Sequence, residues 1–172
     1  MFYFDEQLRK FETNFQWDSA LNYLERLYWD SRSIVVLNSI IGYSWYYLVE
    51  GPLVSKKYEN DATETALEIW KKYLDIGLQE ANTDPFFNFI AGYTLSLHGF
   101  LINAEYEKKG AILIKNCLIL TCDPMLQELA RTFLMNQKGS RYKPLKNGES
   151  ICKQYFSGNS LLDEYFTEIY SY

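Results

Sequence analysis

The chain has 172 residues, 48% hydrophobic and 23% charged, which suits one globular domain over residues 1–172 and excludes an intrinsically disordered chain. One histidine and three cysteines, with no CxxC pair, leave no ligand set for a zinc site and no basis for a disulfide framework, and no cofactor is expected. A formal net charge of −5 disfavours general nucleic-acid binding and suits a basic partner.

The opening stretch, MFYFDEQLRK, puts Asp5 and Glu6 where a secretory signal needs positive charge, and no apolar run follows. The expected location is therefore the cytoplasm, with Cys117, Cys122 and Cys152 reduced. Residues 2–15 place Phe4, Leu8, Phe11 and Phe15 at helical spacing. Asp18 is a candidate cap for a helix carrying Ala20, Leu21, Leu24 and Leu27. Asp30 or Ser31 can cap the next helix, which Gly51-Pro52 ends. Its apolar run from Ile34 to Val49 is interrupted by Asn38, Ser39, Gly42 and Ser44. It is too short for a membrane span and reads as a buried helix.

A polar segment, SKKYENDATE, follows, and Asp61 can cap a helix over 62–81 with Ala66, Leu67, Trp70, Leu74 and Leu78 on one face. Asp84-Pro85 places an N-cap before a first-turn proline, and the helix it opens ends near Gly99. Another helix is expected over 104–121, and Asp123-Pro124 opens the one after it. GSRYKPLKNGES then reads as a loop. Two shorter helices, over 149–156 and 159–170, form a terminal cap.

Two of these helices carry the same pattern. LNSIIGYSW (37–45) and FNFIAGYTL (87–95) match at Asn38 and Asn88, Ile40 and Ile90, Gly42 and Gly92, Tyr43 and Tyr93. The two Asp-Pro openings also align, so that Ala91 falls on Ala130 and Leu95 on Leu134. Each of the three helices thus sets a small residue among large apolar ones, which lets a neighbouring helix approach closely. The spacing predicts an all-α fold of stacked antiparallel helical hairpins, over about 18–50, 62–99 and 104–138, with capping helices over about 149–170 and roughly eight or nine helices in all.

Paired helices with a small residue early in the second one resemble the tetratricopeptide-repeat family, at Gly42-Tyr43, Gly92-Tyr93 and Ala130. The offsets of 50 and 39 residues and the missing first-helix Trp-Leu-Gly signature depart from that family. Size, acidity and aromatic richness are also similar to the small helical immunity proteins of bacterial toxin systems, including contact-dependent inhibition. That resemblance implies a non-enzymatic protein that binds one cognate basic toxin, possibly a nuclease, and occludes its active site. The alternative is a generic tetratricopeptide-like adaptor holding a peptide or helix in its groove. A third reading is a small enzyme using His98.

Candidate residues follow from both lines. Glu25, Asp61, Glu64, Glu68 and Asp75 lie on the first helices of the hairpins, where an acidic lining would attract a basic partner; a plain solvated face explains them as well. Tyr23, Trp70 and Tyr73 are candidate aromatic anchors beside it, with Trp70 alternatively in the core. His98 sits late in an apolar helix with no Ser, Cys or Asp at a readable spacing and is expected to be structural. No phosphate-binding loop is present, because KNGES lacks the P-loop pattern. The basic stretch Arg131, Lys138, Arg141, Lys143, Lys146 and Lys153, with Tyr142 and Tyr155, reads as a loop offsetting an acidic body; direct nucleic-acid binding is not expected.

Overall fold

The computed structural model describes residues 1–54, 60–137, 148–156 and 160–170, with the backbone alone described at 51–54 and 60–63. Among these residues there are nine α-helices and no strand: α1 (Glu6–Thr13), α2 (Trp17–Ser31), α3 (Ile34–Val54), α4 (Asn60–Glu80), α5 (Pro85–His98), α6 (Ala104–Leu120), α7 (Pro124–Gln137), α8 (Gly148–Tyr155) and α9 (Leu161–Tyr170). A single 3-10 turn, Gly99–Leu101, follows α5. The expected all-α class is what the chain forms. None of the described helices is long and apolar enough to cross a membrane.

The two helices that share the echoed pattern lie at the centre. Every residue from Phe86 to Leu95 is buried on α5, and every residue from Val36 to Trp45 on α3. A helix that is apolar all round must be enclosed by others. Helices α2 and α4 pack on α3, α6 packs on α5, and α3 and α5 touch each other. Then α7 lies on α6 and α5, α9 on α3 and α8, and α1 on α2.

The small residues sit where helices approach most closely. A β-carbon added at Gly92 would lie 2.8 Å from the backbone nitrogen of Ile114 on α6. One added at Gly42 would lie 2.7 Å from the Leu162 side chain on α9. So the same sequence position admits a helix backbone in one copy and a leucine side chain in the other. The paired tyrosines diverge similarly. The Tyr43 hydroxyl donates to the Glu12 carboxylate, while those of Tyr93 and Tyr165 lie 3.0 Å apart.

Both Asp-Pro openings form as expected. Asp84 accepts from the Phe87 N–H at 2.6 Å, and Asp123 from the Met125 N–H at 2.8 Å. Other boundaries differ. Gln16, not Asp18, occupies the N-cap of α2, and Asp18 adds its charge to the first turn. Asp30 and Ser31 lie inside the end of α2, which closes on Arg32 in the left-handed region, and Ser33 starts α3. Helix α3 does not end at Gly51-Pro52 but runs one turn further, to Val54. The polar segment around 55–59 and the expected loop at 138–147 lie outside the described residues.

The N-terminal stretch departs most. Helix α1 covers only Glu6–Thr13, capped by Asp5 on the Leu8 N–H at 2.8 Å. Its end is a Schellman closure: Gln16 N–H donates to Phe11 C=O at 2.9 Å and Phe15 N–H to Glu12 C=O at 3.0 Å. Phe15 holds the left-handed position with φ 54° and is 55% exposed, rather than continuing the apolar face of Phe4, Leu8 and Phe11. Glycine is the usual residue there, since a side chain in that conformation costs about 1–2 kcal/mol.

Candidate functional site

The first helices of the expected hairpins, α2, α4 and α6, are cross-linked by polar side chains. Lys72 on α4 meets Glu25 on α2 at 2.9 Å. Glu80 on α4 accepts from the Tyr28 hydroxyl of α2 at 2.7 Å and lies 3.6 Å from Arg32. Asp75 on α4 takes Lys71 at 2.8 Å and the Tyr106 hydroxyl of α6. The two donors outweigh burial and hold the Asp75 carboxyl below its usual range.

The candidate residues therefore separate into five groups. Glu25 and Asp75 are ties between helices, with lysines on α4 cancelling their charge. Tyr23 is half-buried and donates to Asp5 at 2.5 Å, which fixes α2 against α1. Trp70 and Tyr73 are fully buried, Tyr73 edge-on to Tyr28 with centroids 5.5 Å apart, so neither ring reaches a partner. Both fall on the inner stripe of α4 with Ala66, Leu74 and Gly77. The side chain of Asp61 lies outside the described residues. Glu64 and Glu68 remain: both are exposed, one turn apart, and in no ion pair among the described residues.

The acidic lining read from sequence thus narrows to the N-terminal half of α4. Lys71 and Lys72 carried the missing information. They sit three and four residues after Glu68, and their partners Asp75 and Glu25 are spent on them. Exposed aromatics lie elsewhere, at Phe15, Trp29 and Phe100. Neither helical spacing nor residue type distinguishes these from core aromatics.

His98 is half-buried at the end of α5. Its Nδ1 accepts from the Trp45 indole N–H at 3.1 Å, and Phe100 lies beside its ring. Burial pushes its pKa below 6.5, against a small upward pull from Glu50. The native chain therefore binds this proton less readily than the unfolded chain does. Stability should be full above the ordinary histidine range and fall as pH drops through 6.5 toward the lowered value. Urea midpoints measured between about pH 7 and pH 5 should show this fall, and His98→Gln should flatten it.

Cys117 and Cys152 are buried and Cys122 is exposed. Burial raises the Cys117 thiol to about 12, which keeps it protonated at neutral pH. No cluster of three His, Cys, Asp or Glu side chains able to hold a metal occurs among the described residues. From the basic stretch, Arg131 and Lys153 are described, Lys153 lying 3.9 Å from Glu149; Lys138, Arg141, Tyr142, Lys143 and Lys146 lie outside the described residues. Tyr155 donates to Asp123, joining α8 to the start of α7. Comparison with protein-family models, curated proteins and solved structures finds no match for this chain.

Proposed function

We propose that the chain is a non-enzymatic, cytoplasmic protein-binding protein of the helical-repeat type, acting as an immunity protein that occludes a basic cognate bacterial toxin. The observation that supports this reading is Glu64 and Glu68 on α4. Glu25 on α2 and Asp75 and Glu80 on α4 are used to hold helices together, whereas Glu64 and Glu68 are exposed and unpaired among the described residues. Carboxylates left open in this way are available to a lysine- or arginine-rich surface. The overall charge of −5 favours the same encounter. A tetratricopeptide-like stack of hairpins, as expected from the sequence, would present them on its row of first helices.

The test begins with capture from the native host's lysate and identification of a stoichiometric basic protein, followed by assay of its toxicity with and without this chain. Against that protein, replacing Glu64 and Glu68 together by Lys should lower the association rate about tenfold at low salt and much less above about 0.15 M. An unchanged rate would remove α4 from the interface. Micromolar binding of short peptides, with no folded basic partner, would instead identify an adaptor.

A further inference from the structure

Between α1 and the start of α9 lies a pocket of about 380 Å³, lined by Phe4, Arg9, Glu12, Thr13, Phe15, Ser160, Leu161 and Glu164. Glu12 is its unusual member. It is only 8% exposed, although carboxylates are rarely buried without a cationic partner. Its Oε1 accepts from the Tyr43 hydroxyl and from the Leu161 N–H at 3.2 Å. No donor meets its Oε2 among the described residues, and no cation is paired with it. Burial and the charges of Glu164 and Asp163 raise its pKa against the pull of those two donors, so an arriving cation would relieve an existing cost.

The second observation is at the rim. Phe15 holds an aromatic ring in the open at a left-handed backbone position that glycine would occupy without strain. Folding gains little from an exposed ring, so the strain points to a use for the ring itself. Phe4 adds a second aromatic ring to the lining.

We propose that this pocket binds a guanidinium group. The planar cation can donate two hydrogen bonds to a carboxylate and stack on aromatic faces, which matches Glu12 and Glu164 beside Phe4 and Phe15. Arg9 is the one cation among the lining residues, and the two carboxylates outnumber it. The pocket stands apart from α4 and does not depend on the toxin-binding reading.

The experiment is a titration of the full chain with N-acetyl-arginine amide, followed by amide NMR. N-acetyl-citrulline amide, of the same shape but neutral, is the control. The Thr13 and Leu161 amides should shift and saturate with the arginine probe and stay still with citrulline. Glu12→Gln keeps an acceptor for Tyr43 and Leu161 and should weaken binding at least tenfold. Where that variant fails to fold, Glu164→Gln, at an exposed position, should weaken binding alone. Phe15→Gly should raise the urea midpoint yet weaken binding, a pairing that a purely structural Phe15 would not give. Free arginine binding better than the blocked amide assigns the pocket to an amino acid whose carboxylate meets Arg9; equal binding assigns it to an arginine side chain of a protein. Equal response to both probes, silence at Thr13 and Leu161, or unaltered affinity in the carboxamide variants would overturn the proposal.

Discussion

Gly110→Ala is expected to destabilise the fold by about 2–3 kcal/mol, with the loss read from urea unfolding. At an exposed helix position the same change would gain about 1 kcal/mol, because alanine is the better helix former. The sign reverses here because of what lies opposite. A β-carbon at Gly110 would sit 2.4 Å from the backbone nitrogen of Ser96 and 2.7 Å from its Cα. Backbone cannot rotate away, so α5 and α6 must separate along their length. Gly99 tightens the same interface, since a β-carbon there would lie 2.7 Å from the Cα of Glu107. Together with Gly92 these glycines let the end of α5 and its following turn lie directly on α6. Gly42→Ala is the internal control. It meets the terminal methyl of Leu162 at 2.7 Å, and that side chain can turn, so the change should cost less than about 1 kcal/mol. Equal effects at the two sites would mean that α5 and α6 are not in backbone contact.

This contrast shows how far the sequence could be read. The recurrence of Gly42 in Gly92 was visible, and so was its meaning, because a small residue amid large ones signals a close neighbour whichever neighbour it is. The Asp-Pro starts of α5 and α7 were equally legible, since capping depends on residues adjacent in the chain. What each glycine faces was not legible. Ile114 and Leu162 lie 22 and 120 residues from their glycines, and only tertiary packing brings them there. The candidate residues divided for the same reason. Glu25 and Asp75 looked available until Lys72 and Tyr106 were placed beside them. Trp70 and Tyr73 share residue type with surface anchors and differ only in which side of α4 meets α2 and α3. Nothing in the sequence around Glu12 marks it as buried. Its burial requires Leu161, 149 residues away.

Phe166→Ala should be the most damaging change at a single side chain, at about 4 kcal/mol, or roughly 10 °C in Tm for a chain of this size. Phe166 is fully buried on α9. Its ring stacks on Phe156 at 4.7 Å and packs against Tyr93 at 5.0 Å, Tyr165 at 5.3 Å and Phe2 at 5.7 Å. Those rings come from the C-terminal segment, from central helix α5 and from the second residue of the chain. One side chain therefore joins both ends of the sequence to the core, and its removal leaves a cavity that none of three separate elements can close alone. Phe156→Ala should share part of that loss, so the double variant should cost about 1 kcal/mol less than the two single effects added. Phe100→Ala, at a ring 56% exposed, should stay within about 0.5 kcal/mol of the parent. A loss below about 1 kcal/mol for Phe166→Ala would mean that α9 does not sit on the core in solution. The pocket would then lose Leu161 and Glu164, which α9 carries, and Glu12 would lose the Leu161 N–H. The thermal measurement on Phe166 therefore also tests the wall on which the guanidinium proposal depends.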